Sequence, residues 1–503
     1  MSDRRRIALV IVALVAARAL LPLLLIDPSW EYHRDELLYF AMGDHLAWRM
    51  QFPPLIAALA KLSTAVFGDS VWAARVPAAL GGAAITGVVL SLLHRLRAGI
   101  WAMLLASIGL ALAPVFLRSS VLFQPVVFDQ LWATLAVAAL VLAAVEDRPR
   151  WWLLVGAALG LGLLTKMSSL MYAAVIFAVS VAHPSLRRQL TTRWPWIAAA
   201  LALLLGAPTV LGQVRYAWPF LQQLDALEAG QFAHTSVIGT VLEQPLLLMP
   251  AALLVLAVAW AQERLRLAGI VAAGFAAGLL ALVLWQGGKA YYAAPAYPVL
   301  VGVGAAVVAQ ARRRWLAPTA AAAMAALGVP LVPMGVPMFE PTAMAAYAQR
   351  LGVGTTTNRG EELALPQDYA DMLGWRAKAE AVARAYEALA DAERAEVVVV
   401  GGNYGQAGAL ARYAPRLGYP YPISTAGDFF AWGPGTRPGA VLMLLAEPEA
   451  RANLEALFGR VEEVAALADA RAVPEERDVR VFVAREPRMP LAAVWPTLGP
   501  NWQ

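Results

Sequence analysis

Long apolar runs constrain the fold of this chain more than any other feature of its sequence. The first, residues 7–26, has about 20 residues, enough to cross roughly 30 Å of hydrocarbon as a helix. It lacks an A-x-A-like cleavage pattern at its end, so we predict a retained helix and not a removed signal peptide. Comparable runs follow at 71–93, 99–117, 125–145, 151–164, 167–182, 196–212, 245–261, 269–285, 294–310 and 315–333.

These runs predict a polytopic α-helical membrane protein with about eleven transmembrane helices. The composition agrees, because 60% hydrophobic and 15% charged residues exclude an ordinary soluble protein. The runs 151–164 and 167–182 are short, and we expect them to form a tilted hairpin. No internal repeat is evident.

The arginines indicate how the chain is oriented. If the predicted spans alternate, all the arginine clusters between them fall on one side, and the positive-inside rule makes that side cytoplasmic. The N-terminus is then cytoplasmic, and the formal charge of +5 reflects topology, which argues against a nucleic-acid partner. The clusters are Arg4 to Arg6, Arg95 and Arg97, Arg148 and Arg150, Arg187 with Arg188 and Arg193, Arg264 and Arg266, and Arg312 to Arg314.

The opposite, outer face carries the loops 27–70, 118–124, 213–244 and 286–292 and everything after about residue 334. In the first loop, apolar residues recur from Asp35 to Met50 with helical spacing, which predicts an amphipathic helix at the membrane surface. Pro53 and Pro54 end it, and the apolar stretch 55–67 is too short to span. The chain has no cysteine, so no disulfide supports this face.

We therefore divide the chain into a transmembrane domain, 1–336, and a soluble extracytoplasmic α/β domain, 337–503. In the second, residues 377–390 predict a helix and 396–400, 441–445 and 479–483 predict buried strands. The sequence VVVVGGNYGQAGAL, residues 397–410, predicts strand, glycine turn and helix. Such a turn can hold a phosphate at a helix N-terminus, but the G-x-G-x-x-G spacing is incomplete and a structural turn is the favoured interpretation.

Carboxylates close to hydrocarbon are the first candidates for catalytic residues, because placing a charged group there costs free energy. Asp35 and Glu36 occupy the first turn of the predicted surface helix, where an ionised carboxylate is able to accept a proton from a hydroxyl. The alternative is a pair that merely starts the helix. Asp129 lies at the outer end of the fourth span, on the same side of the membrane as Asp35. The alternative to a catalytic role for Asp129 is a structural hydrogen bond to a neighbouring helix.

Cationic and polar residues of the outer loops are the second group of candidates. Lys289, beside Tyr291 and Tyr292, suits an anionic phosphate, although a lysine there also extends to water simply because it is charged. The others are individually weaker, and for each a solvated surface residue is the alternative. Substrate-binding candidates are Lys289, Arg215, His33, Arg34, Tyr292 and His234, with Arg118 at the 118–124 turn.

Several motifs resemble a known superfamily. DELLYFAMGDHLAW followed by FPPL is similar to the first outer loop of the protein O-mannosyltransferases and lipid A aminoarabinose transferases, which have the GT-C fold. The likeness is greatest to the bacterial PMT-like branch, glycosyltransferase family 39. It continues through FDQLWATLA, GLGLLTKMSSL, GQVRYAWPFL, GKAYYAAPAYP, LPQDYADMLGW and GGNYGQAGAL, and so covers nearly the whole chain.

This resemblance implies a polyprenyl-phosphate-linked sugar donor and inversion at the anomeric carbon. Asp35 matches the catalytic aspartate, Asp129 the acidic residue of the second outer turn, and Lys289 a lysine near the lipid phosphate. The aminoarabinose transferases have an arginine where this chain has Leu38, and a Glu-Lys pair where it has Gln51 and Phe52. Because that glutamate is a metal ligand in those enzymes, the sequence leaves open whether a divalent metal is bound here.

The sequence thus predicts an inverting glycosyltransferase of the bacterial inner membrane. It would transfer a hexosyl or pentosyl group from a polyprenyl phosphate to an extracytoplasmic acceptor, namely a glycan, lipid or protein hydroxyl. The alternatives are a lipid or sugar transporter and a non-catalytic assembly protein. Transporters place ionisable groups at the bilayer midplane within repeated halves, whereas the candidate acids here lie at outer helix ends.

Overall fold

The computed structural model describes residues 3–46, 52–230, 232, 235–352, 354–357 and 360–501. Within these residues, seven helices are long and apolar enough to cross a membrane. Two further helices, Val237–Leu248 and Ala252–Trp260, meet at a bend of 101° and give an eighth span if they are counted together. The seven are Arg5–Leu25, Val71–Arg95, Pro125–Glu146, Arg193–Arg215, Glu263–Trp285, Ala290–Ala309 and Leu316–Gly335.

The remaining apolar runs form helices that are shorter than a span. The predicted run 99–117 is broken into Ile100–Leu112 and Pro114–Ser119, because Pro114 lacks the amide hydrogen that would continue the helix. The predicted hairpin is present as Trp152–Leu163 and Ser169–Ala182. The predicted outer loop 213–244 is partly helical, since Pro219–Gly230 and the start of Val237–Leu248 lie within it.

Small residues allow the transmembrane helices to approach closely. A methyl group added at Gly156 or Gly160 would overlap the backbone at Ala198 or Ala202, which places the hairpin directly against helix Arg193–Arg215. Contacts of this kind let helices pack well where lipid gives no hydrophobic driving force. The largest buried cluster joins the spans from Val71–Arg95 onward.

The chain after residue 336 contains a four-stranded mixed sheet. Its strands are β1 (Val398–Gly401), β2 (Val441–Ala446), β3 (Phe458–Ala468) and β4 (Asp478–Pro487), in the order β1-β2-β4-β3. The pair β1 and β2 is parallel, whereas β4 is antiparallel to both β2 and β3. The α-helices of this part are Pro341–Arg350, Gln367–Ala370, Trp375–Glu387, Asp391–Glu396, Tyr404–Leu417, Asp428–Trp432, Ala450–Leu457 and Leu491–Leu498.

Strands β1, β2 and β4 lie where the sequence predicts strands, as does helix Trp375–Glu387. Strand β3 was not predicted, because this edge strand is mostly exposed and its register shifts between Glu463 and Ala465. The glycine turn of residues 401–403 joins β1 to helix Tyr404–Leu417 as predicted. The amides of Gly401 and Gly402 donate to the carbonyls of Ile423 and Leu445, so the turn is structural and does not offer these donors to a phosphate.

The first outer loop differs from its prediction. Its helix is Arg34–Asp44, and the residues from Glu36 to Gly43 are buried all around. One face packs on helix Leu55–Phe67, where Gly43 meets Ala57 and Ala60. Another packs on helix Tyr404–Leu417 of the second part, so the helix is enclosed by protein and does not lie on the membrane with one face in water. The predicted continuation to Met50 lies in 47–51, outside the described residues.

Candidate active site

Helix Arg34–Asp44, which we call the outer-loop helix, begins with a capping box. The backbone N–H of His33 donates to Glu36 Oε2 (2.9 Å), and the backbone N–H of Asp35 donates to His33 Nδ1 (3.1 Å). These bonds satisfy amides that a helix start otherwise leaves without partners. The local sequence thus fixes the first turn, and it places Asp35 and Glu36 on different sides of the helix.

Glu36 is fully buried and links three segments of the chain. Its Oε1 accepts a hydrogen bond from the backbone N–H of Phe123 (2.9 Å), and it lies 3.6 Å from Nε of the equally buried Arg75. Both carboxylate oxygens are therefore engaged by backbone amides. This geometry matches the alternative that Glu36 merely helps to start the helix, because neither of its carboxylate oxygens is directed to an open space.

Asp35 is only partly buried, and each of its oxygens accepts one hydrogen bond. Gln124 Nε2 donates to Oδ2 (2.9 Å), and the hydroxyl of Tyr404 donates to Oδ1 (3.0 Å). A carboxylate has about four lone-pair sites, so Asp35 keeps the capacity to accept a further hydrogen bond. Asp35 therefore has the oriented, accessible carboxylate that a general base requires.

Asp129 is buried near the start of helix Pro125–Glu146, just beyond its first turn. Its oxygens accept hydrogen bonds from Ser168 Oγ and the Tyr172 hydroxyl, both at 2.7 Å. These partners belong to the hairpin, so Asp129 joins its own span to the hairpin turn. This geometry matches the structural alternative, and the contacts of the described residues do not join Asp129 to Asp35.

Lys289 lies in the turn between helices Glu263–Trp285 and Ala290–Ala309, close to several charged groups. Burial, the largest effect, lowers the pKa of its ammonium group. The neighbouring cations Arg118 and Lys166 lower this pKa further, whereas Tyr291 and Asp35 raise it. Arg118, Lys166 and Asp35 are thus near enough to Lys289 for their charges to act on it, and we call Lys289, Arg118 and Lys166 the cationic cluster.

The other members of the cationic cluster have defined partners. The Arg118 guanidinium pairs with the carboxylate of Asp368, while 55% of its side chain is accessible. Lys166 Nζ lies 4.6 Å from the centre of the Tyr292 ring, which is an attractive position for a cation. Among the substrate-binding candidates, Lys289 and Tyr292 thus lie together at this cluster.

His33 and Arg34 face the second part of the chain. His33 is buried, and its Nε2 lies 3.7 Å from both Asp368 Oδ1 and Asp371 Oδ2. Arg34 lies 3.5 Å from Asp371, whose pKa is raised by burial and lowered to a smaller extent by the Arg34 guanidinium. His33 and Arg34 are therefore not solvated surface residues, because the carboxylates of Asp368 and Asp371 cover them.

The described residues contain no group of three His, Asp or Glu side chains arranged to hold a metal ion. At His33, Nδ1 accepts a backbone N–H, so the neutral ring carries its proton on Nε2. That nitrogen then faces the two aspartates as a donor and has no lone pair for a metal. Gln51, which stands in place of the glutamate ligand of the aminoarabinose transferases, lies outside the described residues.

Two predicted candidates are not part of this arrangement. Arg215 is exposed at the end of its helix, with its guanidinium 5.8 Å from the ring centre of Tyr216, and no contact among the described residues joins it to Asp35. His234 lies outside the described residues.

Sequence reasoning missed four residues of this site: Gln124 and Tyr404 bond Asp35, whereas Lys166 lies beside Tyr292 and Asp368 pairs with Arg118. Gln124, Lys166, Asp368 and Tyr404 come from the second outer turn, the hairpin turn and two segments after residue 336. The signal for Lys166 was a lone cation between two short apolar runs, whereas Gln124, Asp368 and Tyr404 stand in motifs that have no regular hydrophobic period. Nothing in a single sequence indicates that segments so far apart meet at Asp35.

Comparison with known proteins supports the resemblance. Residues 51–211 match the family model described as dolichyl-phosphate-mannose-protein mannosyltransferase. No curated protein shows a significant sequence match to the chain. Two crystal structures of ArnT from Cupriavidus metallidurans, one in the apo state and one bound to undecaprenyl phosphate, are similar over 94% of this chain and 97% of theirs, each with a TM-score of 0.64 and 17% identity. The resemblance predicted from the motifs is confirmed: residues 51–211 are similar to this mannosyltransferase family, and the chain as a whole shares the fold of ArnT.

Proposed function

We propose that the protein is an inverting glycosyltransferase that takes a sugar from a polyprenyl phosphate and transfers it to a hydroxyl group at the outer face of the membrane. The observation that carries this proposal is the Asp35 carboxylate, which Gln124 and Tyr404 orient by hydrogen bonds and which lies within electrostatic reach of the cationic cluster. A base for an acceptor and cations for a phosphate are the two requirements of such a transfer. The fold shared with ArnT, one of whose structures contains undecaprenyl phosphate, supports a lipid-phosphate donor.

In the proposed reaction, the acceptor hydroxyl donates its proton to Asp35 as its oxygen attacks the anomeric carbon. The bond between that carbon and the phosphate oxygen breaks on the opposite face, so the configuration inverts. The bonding electrons leave with the polyprenyl phosphate, whose growing negative charge Lys289, Arg118 and Lys166 stabilise. Each group thus acts where charge develops, which lowers the barrier to transfer.

We assign Glu36 and Asp129 to supporting positions in this reaction. Glu36 holds the outer-loop helix against Phe123 and Arg75, and Asp129 holds the hairpin turn that carries Lys166. We further propose that the chain lies in the bacterial inner membrane, with its N-terminus in the cytoplasm and residues 337–503 outside. The sugar transferred is a hexose or a pentose.

The test compares donor turnover by wild-type protein and Asp35→Asn in liposomes supplied with polyprenyl-phosphate sugars and a membrane extract as the source of acceptor. Loss of the general base should lower the initial rate by about 10²–10⁴-fold. Asp44→Asn is the matched control, since Asp44 is exposed at the far end of the same helix. Wild-type turnover by a folded Asp35→Asn protein would contradict the assigned base.

Glu36→Gln separates a structural role from a catalytic one. It leaves the buried Arg75 without its charge partner, so we expect a loss of about 3–5 kcal/mol in the free energy of unfolding, observed as a lower thermal transition. A protein of unchanged stability with slow turnover would instead place Glu36 in the chemistry.

The same liposomes distinguish transfer from transport. A transferase releases polyprenyl phosphate and consumes the intact donor, both of which mass spectrometry of the lipids detects. Movement of intact donor across the bilayer, with no release of polyprenyl phosphate, would favour the transporter alternative.

A further inference from the structure

The second part of the chain contacts the candidate base directly, through the motif that the sequence analysis left as a structural turn. The Tyr404 hydroxyl donates to Asp35 Oδ1 (3.0 Å), and the Arg34 guanidinium lies 4.6 Å from the centre of the Tyr404 ring. Tyr404 thus touches two successive residues of the outer-loop helix. It is the first residue of helix Tyr404–Leu417, more than 360 positions further along the chain.

Two glycines of this motif allow the approach. A methyl group added at Gly408 would lie 2.8 Å from the backbone carbon of Leu37, and one at Gly405 would lie 2.9 Å from the ring of Trp375 and 3.3 Å from Arg34 Cβ. Side chains at either position would push the two helices apart. Their absence brings the Tyr404 hydroxyl within hydrogen-bonding distance of the base.

A buried polar group holds the start of the Tyr404 helix in place. Asn403 caps it by accepting the N–H of Gln406 (2.9 Å), and the side chains of Asn403 and Gln406 both donate to the carboxylate of Glu476 (2.8 and 3.2 Å). Glu476 is itself buried and paired with Lys378. The position of Tyr404 is therefore fixed by its own fold and not only by its contact with Asp35.

We propose that Tyr404 is a positioning residue for Asp35, so that residues 337–503 complete the catalytic base of the transmembrane part. This inference rests on the proposed function. The hydroxyl donates a stronger hydrogen bond to an ionised carboxylate than to a neutral carboxyl group, which favours the charged form, and it fixes the direction of the remaining lone pairs. Gln124 fixes the other oxygen, so Asp35 is oriented from both parts of the chain.

Other charged groups also act on Asp35, and their effect must stay constant in any test of how Tyr404 changes its pH dependence. Arg34 lies on the same helix, Lys289 and Arg118 lie across the site, and the carboxylate of Asp371 faces it from the second part. Tyr39 and His33, which accepts the Asp35 N–H, are further titratable neighbours. Replacing Tyr404 by phenylalanine removes one neutral donor and leaves all these charges in place.

The first readout is the kinetics of Tyr404→Phe. We expect kcat to fall by about tenfold while the donor KM changes less than about twofold, because the lost hydrogen bond orients the base and does not bind the lipid. The acidic limb of the kcat profile should move to higher pH by about one unit, since the ionised carboxylate has lost a donor. Tyr419→Phe is the matched control, because that hydroxyl bonds the backbone carbonyl of Leu410.

The second readout does not depend on activity. Protonated carboxyl groups add to dicyclohexylcarbodiimide, with the proton passing to its nitrogen and the carboxyl oxygen bonding to its central carbon, and peptide mass spectrometry reports this attachment at Asp35 as a function of pH. In Tyr404→Phe, labelling of Asp35 should extend about one pH unit higher than in wild-type protein and in Tyr419→Phe. If this shift occurs while wild-type protein turns over no donor, the proposed function fails and the link between Tyr404 and Asp35 stands.

Three outcomes would overturn the inference. The first is a wild-type labelling profile in folded Tyr404→Phe. The second is a fall in kcat with an unmoved acidic limb, which would indicate only a general structural effect. The third is an equal shift in Tyr419→Phe, which would show that the effect is not specific to the hydroxyl on Asp35.

Discussion

Asp35 and Glu36 are adjacent acids with different surroundings. Successive residues of a helix point in directions about 100° apart, so one carboxylate faces the site while the other enters the protein. Glu36 meets two backbone amides and a buried arginine, whereas Asp35 meets two uncharged donors and keeps acceptor capacity. The sequence identified the pair, but the distribution of roles within it depends on what packs around the helix.

Lys289 provides a pH prediction at the residue scale. Burial lowers its pKa, so the fraction of charged ammonium declines at a lower pH than for an exposed lysine. A neutral lysine attracts the donor phosphate less, and kcat/KM for the donor should therefore fall on the alkaline side. Lys289→Arg should move this fall to higher pH, since an arginine does not titrate there.

The measurement is a series of initial rates at low donor concentration, because kcat/KM reports groups of the free enzyme. Lys289→Met should lower kcat/KM at neutral pH and flatten its alkaline decline. Identical alkaline limbs for wild-type protein and Lys289→Arg would show that this ammonium is not the group that binds the phosphate.

At the scale of elements, a buried arginine joins the first span to the second outer turn. Arg18, within helix Arg5–Leu25, donates to the carbonyl of Phe116 (2.8 Å) and to Ser120 Oγ (2.6 Å). These acceptors belong to the short helix Pro114–Ser119 and the residue after it, so Arg18 fixes the segment that carries Arg118. An arginine inside a span is costly unless it is bonded in this way.

Arg18→Met should therefore loosen this segment. We expect the free energy of unfolding to fall by about 2 kcal/mol, since hydrogen bonds to a charged donor are lost, and the donor KM to rise because Arg118 is less well placed. The measurements are thermal unfolding in detergent and donor kinetics. Arg6→Met on the same helix is the control, since Arg6 is exposed, and equal effects of the two substitutions would refute the positional role of Arg18.

The regular elements show which features of the fold a sequence carries. Apolar runs and buried strands have strong periodicity, and most of them lie where they were predicted. Strand β3 was missed because it is an exposed edge, and the break at Pro114 and the bend between Leu248 and Ala252 interrupt runs whose hydropathy is continuous. Hydropathy indicates which residues are buried, but it does not indicate where a helix breaks or bends.

At the scale of the whole molecule, the absence of cysteine makes the proposed orientation directly testable. Ala392→Cys places a thiol on an exposed position of the second part, and Arg313→Cys places one in the last arginine cluster. A membrane-impermeant maleimide should label the first in intact spheroplasts and the second only after permeabilisation. Labelling in the opposite order would invert the proposed topology, and protein without introduced cysteine gives the background.

The two parts of the chain also meet more extensively than their division at residue 336 suggests. The outer-loop helix packs on helix Tyr404–Leu417, and Asp368 and Asp371 pair with Arg118 and Arg34. The sequence separates the parts by composition, because one is apolar and the other charged. Composition gives no information about the interface between the two parts, where buried glycines and paired charges follow no regular spacing.

The sequence by itself determined the membrane class and most of the helices and strands, and it identified Asp35 and Lys289 as candidates for lipid-phosphate chemistry. These features follow from hydrophobicity, from the free-energy cost of a charge near hydrocarbon and from local helix caps, each of which depends on a few neighbouring residues. Only the tertiary structure decided that Glu36 and Asp129 are bonded supports, that Lys166 joins Lys289, and that Tyr404 reaches Asp35. Such decisions depend on contacts between segments tens to hundreds of residues apart, and no local pattern encodes those distances.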